Sequence, residues 1–131
     1  MNNKHPKSRL WYVVFSRSSY KYPFHRWLNQ DFTHVWAFTR SEGGEFWHVI
    51  NSTASCLDCD LKLCGEYPHP QLMVSDYDVM IPVQSKIDTS KVRGTICLFN
   101  CVEVVKAILG VRKPFVLTPY QLYKYLRCQD G

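Results

Sequence analysis

A thiol, an imidazole and a side-chain amide to orient the imidazole are together enough to cleave or transfer an acyl group. Cys101 is the candidate thiol. It follows Asn100, a good helix N-cap, and Glu103 three residues later completes a box-like start. Val102, Val105, Ile108 and Leu109 then recur at helical spacing, and Gly110 with Pro114 ends the run. A cysteine at a helix start meets open amides and about half a positive charge from the aligned peptides, which favours thiolate over thiol. The same amides, with that of Cys101 first among them, can hold an oxyanion.

His34 is the candidate base. It lies in Thr33 to Thr39, one of two strand-like runs; the other is Glu45 to Ser52, and Ser41-Glu42-Gly43-Gly44 joins them. This pattern predicts a β-hairpin. If the connection is residues 41–44, or a two-residue Glu42-Gly43 turn, His34 faces Asn51 with Cβ atoms about 4.5–5.5 Å apart. A three-residue loop shifts the register by one and brings His48 to the His34 face instead. An amide oxygen on one imidazole nitrogen fixes the other toward a thiol, the logic of a Cys-His-Asn triad. A side-chain oxyanion donor is less marked; Gln84 is the candidate.

A second cluster is Cys56-x2-Cys59-x4-Cys64-x4-His69, with the spacing of a zinc knuckle. Leu57, Cys59, Leu61 and Leu63 alternate with polar residues, however, as a half-buried strand does. A strand turns Cys56 and Cys59 to opposite faces and leaves the chelate open. The expectation is therefore no metal and no cofactor, with that zinc set as the alternative.

The elements that must position these groups read as α+β. Leu10 to Phe15 is an aromatic, β-branched run that predicts a buried strand, so its Trp11 and Tyr12 are core. Residues 24–31 form a short turn or packed loop, 78–81 a strand, 84–94 a polar connection and 95–99 a short apolar lead into the Cys101 helix. Thr118-Pro119-Tyr120-Gln121 has an N-cap, Pro at N1 and Gln at N3, and opens a last helix through about Leu126. The outline is a small, mostly antiparallel sheet with helices at the C-terminal end.

With 131 residues, 46% of them hydrophobic and 21% charged, the chain is one domain and not a disordered segment. Its net charge of +5 is uneven. Lys4, Lys7, Arg9, Arg17, Lys21 and Arg26 all precede the first acidic residue, Asp31. Residues 1–9 read as a basic arm and 10–131 as the domain. Such an arm suits an acidic protein, a nucleic acid or an anionic surface, or serves only as a solvated end. No apolar run approaches the roughly 20 residues that cross a bilayer, and Met1 to Lys7 lacks the apolar core of a signal peptide. The expected location is cytoplasmic or virion-associated, where six cysteines stay thiols.

His34-x-Trp36-Ala37-Phe38, a Gly turn, Trp47-His48-Val49-Ile50-Asn51, and a late Asn100-Cys101-Val102-Glu103-Val104-Val105 opening a helix resemble the circularly permuted papain-like hydrolases. These are the permuted branch of the NlpC/P60 superfamily, including lecithin-retinol acyltransferase-like proteins. The resemblance spans roughly residues 10–110, with its specific motifs in 32–52 and 99–110. It implies a permuted papain-like fold and thiol protease, amidase or acyltransferase chemistry on a peptide or acyl substrate, through an acyl-cysteine intermediate. Cys101 would be the nucleophile, His34 the base, and Asn51 or His48 the orienting group. Two departures are plain: the acyltransferases follow the cysteine with an acidic residue and a histidine, where this chain has Val102, Glu103 and Val104. The papain pattern places a glutamine shortly before the cysteine, and Thr95 to Asn100 contains none. The alternative reading is an inactive papain-like structural or interaction protein, such as a viral or phage particle component.

Overall fold

A computed structural model of the chain describes residues 8–16, 34–52, 57–86 and 100–129. The expected elements at 24–31 and 95–99 lie outside these residues, as do Cys56 and the arm residues Lys4, Lys7, Arg17, Lys21 and Arg26.

The strands are β1 (Ser8–Ser16), β2 (His34–Arg40), β3 (Phe46–Ser52), β4 (Leu57–Leu63) and β5 (Val79–Lys86), and the helices are α1 (Asn100–Leu109) and α2 (Pro119–Gln129). The strands form one antiparallel sheet in the order β4-β3-β2-β1-β5. The architecture is α+β, as the sequence outlines. Three boundaries differ. Ser8 and Arg9 are strand residues paired with Lys86 and Ser85, so the arm ends before them. The strand expected at 78–81 continues to Lys86, through what reads as a polar connection. Pro82 discourages a strand reading there, but β5 is an edge strand, where a missing N–H costs little. The last helix runs to Gln129, beyond Leu126.

The sheet has a different core on each face. Trp11, Val13 and Phe15 of β1, Val35 and Ala37 of β2, Ile50 of β3 and Ile81 of β5 pack against Cys101, Val102, Val105 and Leu109 of α1 and Leu122 and Leu126 of α2. On the other face Val14, Phe38, Trp47 and Cys64 form a second cluster, joined by Tyr12, Trp36 and Val49. Tyr12 stacks on Phe38 at 5.1 Å, and Trp47 meets Phe38 edge-on at 5.3 Å. The Trp47 indole donates to the Tyr67 carbonyl at 2.7 Å and so ties the segment after β4 over this face.

The end of α1 and the start of α2 have the bonds their residues call for, whereas α1 begins at Asn100 itself, one residue earlier than an Asn100 cap implies. The Val111 amide donates to the Lys106 carbonyl at 2.9 Å and the Gly110 amide to that of Ala107 at 3.3 Å, while Gly110 adopts a φ of 72°. This is a Schellman stop, in which the left-handed residue favours glycine. At the start of α2 the Gln121 amide donates to Thr118 Oγ1 at 3.2 Å, and the Thr118 amide donates to Gln121 Oε1 at 3.1 Å. That is a reciprocal capping box.

α1 packs on β2, β3 and β5. Ser85 Oγ donates to the Ile108 carbonyl at 2.9 Å, which holds the last turn of α1 against β5. Lys106, 5% exposed, donates to Glu103 Oε1 and to the Val116 carbonyl, each at 3.1 Å, and ties α1 to the segment before α2. Lys106→Met keeps the apolar stem and removes the donor from the Val116 carbonyl. It should cost about 1–3 kcal/mol, read as a lower urea midpoint with unchanged slope.

Candidate active site

β2 and β3 meet through a turn one residue later than the sequence suggests. The Ser41 amide donates to the Phe46 carbonyl at 2.8 Å, the Gly44 amide donates to the Ser41 carbonyl at 2.9 Å, and Gly44 has a φ of 73°. The connection is thus 42–45, and the strands pair Ala37 with Ile50, Phe38 with Val49, Thr39 with His48 and Arg40 with Trp47. Direct facing of His34 and Asn51 is therefore corrected to a diagonal relation two residues along. A two-residue slip keeps the face, because strand side chains alternate with a period of two. The two groups still meet: His34 Nε2 and Asn51 Oδ1 are 2.6 Å apart. The amide oxygen can only accept, so Nε2 carries the proton and donates it, leaving the Nδ1 lone pair as the base.

His48 is not part of this pair. It is exposed and sits opposite Thr39, and it alternates to the face that carries Ile50. Gln84 pairs with Leu10, whereas His34 pairs with Ser16, six residues further along β1. That is about 20 Å at strand rise, which removes Gln84 as an oxyanion donor for this site. Trp36, which sequence reasoning left aside, shares the face of the pair and packs on Phe38 at 5.5 Å. Its signal was the alternation His34, Trp36, Phe38.

Cys101 is the second residue of α1 and is 2% exposed, packed in the cluster that holds Val35 and Ala37. Its amide lies in the first turn of the helix, at the positive end of the aligned peptides. α1 packs on the two strands that carry His34 and Asn51, and on β5. Alternation sets the approach: Val35 and Ala37 turn toward α1, so His34, Trp36 and Phe38 turn to the other face.

Of the zinc-knuckle residues, Cys59 is exposed on β4, Cys64 is buried beside Trp47, and His69 is exposed. β4 forms where the alternation predicts a strand, but it is not half-buried as expected, since Cys59, Leu61 and Leu63 are exposed; Cys64, just after it, is on the opposite face from Cys59. Among the described residues no three His, Cys, Asp or Glu side chains gather as a metal site would require. A cavity of about 630 Å³, lined by Arg9, Tyr12, Arg40, Trp47 and Pro68 among others, lies at the opposite end of β2 from His34. Arg9 approaches Glu42 there at 3.8 Å. No helix among the described residues is long and apolar enough to cross a membrane. Comparison with known protein families, curated proteins and solved structures returns no match to this chain.

Burial pushes the His34 imidazole below its ordinary 6.5, and the bond to Asn51 draws it part of the way back. A histidine whose folded value is lowered leaves stability untouched above the unfolded value. As pH falls below about 6.5 the unfolded chain takes up the proton first, and stability is lost. Urea unfolding of the wild type should therefore weaken between neutral and mildly acid pH, and His34→Gln should flatten that dependence. In Asn51→Ala the His34 ring should titrate lower still, followed by its NMR shifts.

Proposed function

We propose that the protein is a cysteine-dependent hydrolase or acyltransferase acting on an amide, peptide or ester bond. The observation that carries this reading is the 2.6 Å contact between His34 Nε2 and Asn51 Oδ1. It selects the tautomer a general base needs and aims no proton from Nδ1 at an incoming thiol. Cys101 is the nucleophile of this reading, at the start of a helix lying over the same two strands. In the reaction His34 Nδ1 takes the thiol proton and the sulfur attacks the carbonyl carbon. The helix-start amides receive the oxyanion, and the proton passes to the leaving amine or alcohol. Water or an acceptor alcohol or amine then releases the acyl group from sulfur by the reverse sequence. The resemblance to permuted papain-like proteins agrees with this order of residues along the chain.

A second reading, a papain-like fold kept as an interaction protein without catalysis, is favoured by one observation. Val35 and Ala37 lie under α1, so the His34 ring and the Cys101 thiol approach β2 from opposite faces. His34 is itself a strand residue, paired with Ser16, and Asn51 holds its ring on that face, so catalysis requires thiol and ring to meet around the end of β2.

Cysteine alkylation against pH, resolved by mass spectrometry, separates the readings. Cys59 and Cys128 are exposed and serve as internal references. In the catalytic reading Cys101 reacts faster than both near neutral pH, and His34→Ala slows it by about 10²-fold or more, in keeping with general-base catalysis. A Cys101 that reacts more slowly than the references, with or without His34, would sink the enzyme and leave the interaction protein.

A further inference from the structure

Among the described residues β4 is an edge strand, and its outer side has the chemistry of a self-pairing surface. The Cys64 amide donates to the Glu45 carbonyl at 2.9 Å, so the even-numbered residues of β4 direct their backbone groups toward β3. The odd-numbered ones, Cys59, Leu61 and Leu63, direct theirs outward. The Leu61 amide shows this directly, since its acceptor is the neighbouring Asp60 carboxylate at 2.8 Å and not a β3 carbonyl. The side chains of the outward residues are apolar and open to solvent: Leu61 is 56% exposed and Leu63 48%. Cys59 is exposed beside them. The sheet face they occupy continues that of Ile50, but the main packing of α1 falls on β2, β3 and β5.

Charge selects the occupant and the register. Asp58, Asp60 and Lys62 alternate along the other face of the strand, with Lys62 Nζ 3.3 Å from Asp60 Oδ2. A two-fold axis normal to the sheet pairs β4 with its own copy in antiparallel fashion, and faces are kept only when the centre falls on a residue. Centred on Asp60, the two Asp60 carboxylates stand opposite each other; centred on Cys59, each Asp58 stands opposite an Asp60; centred on Lys62, two ammonium groups meet. Only the register centred on Leu61 sets each Asp60 against Lys62 of the partner subunit with no like charges opposed. That same centre makes Leu61 and its copy a hydrogen-bonded pair, in which each Leu61 amide exchanges the Asp60 carboxylate for the facing carbonyl and so leaves Asp60 to Lys62 of the partner subunit. It also sets each Leu63 amide against the carbonyl of Cys59 of the partner subunit. The Leu63 carbonyl already accepts from Glu66 and Tyr67 at 3.1 Å, so each of these outer pairs contributes one backbone bond, from the Leu63 amide, and not two.

We propose that β4 is a homodimer interface, joining two sheets into one through antiparallel β4–β4 pairing centred on Leu61. Exposed charge pairs add little to affinity; their part is to fix the register, while the backbone bonds and the Leu61, Leu63 and Cys59 side chains supply cohesion.

Sedimentation velocity of the full chain over a concentration series should show a reversible monomer–dimer equilibrium. Lys62→Asp places carboxylates opposite Asp60 and should shift the equilibrium to monomer, with the circular dichroism spectrum unchanged because the position is exposed. Asp60→Lys alone should do the same, and the double variant Asp60→Lys/Lys62→Asp, which restores opposite charges, should recover the dimer. In a Cys128→Ser background, Leu63→Cys should cross-link to Cys59 of the partner subunit on mild oxidation. A chain that stays monomeric at every concentration overturns the proposal and leaves the edge to an extended peptide. A dimer indifferent to both charge reversals overturns it too, since the copies then meet elsewhere.

Discussion

The two-residue alternation of β1 is the constraint on which the rest of the molecule depends. β1 lies between β2 and β5, and its side chains leave alternately toward two different cores. Trp11, Val13 and Phe15 go to the helices, and Tyr12 and Val14 go to the aromatic cluster around Phe38 and Trp47. A strand buried on both sides cannot slip by one residue without exchanging the two sets. Its register with β2 then assigns Val35 and Ala37 to α1, and Trp36 and Phe38 to the opposite side. Every statement about where His34 can act follows from that assignment.

The hairpin shows how much of a site can survive an error in register. Moving the turn from 41–44 to 42–45 changes which residues face each other, but it moves the partner by two and so preserves the face. His34 and Asn51 were legible in the sequence for this reason: parity is a coarser property than register, and the imidazole and the amide are long enough to meet across a diagonal. His48 fails on parity, and no side-chain length repairs that. The helix ends were legible as well, because Gly110 and the Thr118–Gln121 pair act through local backbone bonds that need no tertiary partner.

What the sequence does not carry is the outcome of packing between elements distant along the chain. The length of β5 depends on pairing with β1, from which Pro82 by itself argues away. Gln84 becomes a strand residue at the far end of the sheet only because Leu10 stands opposite it. Lys106 falls among the apolar positions of α1, and the fold buries its charge because Glu103 and the Val116 carbonyl are in reach of its ammonium. The face on which α1 lies belongs to the same class. Helical periodicity identifies Cys101 as the start of an apolar stripe, but not which side of β2 that stripe covers.

The electrostatics of His34 bear on how a thiol there would be activated. A preformed thiolate–imidazolium pair needs an imidazole that holds its proton at neutral pH, with an environment that stabilises the cation. Burial acts against that cation, and a neutral amide oxygen compensates only in part. A carboxylate in the place of Asn51 would reverse the balance, since its charge favours the imidazolium directly. With Asn51 the resting ring is neutral, its Nε2 proton held by the amide and its Nδ1 lone pair open to accept. The positive charge that favours sulfur ionisation must then come from the start of α1, not from the ring. Under the proposed catalytic reading, activation by this arrangement would be proton transfer during attack, with the imidazolium formed only as the sulfur–carbon bond forms.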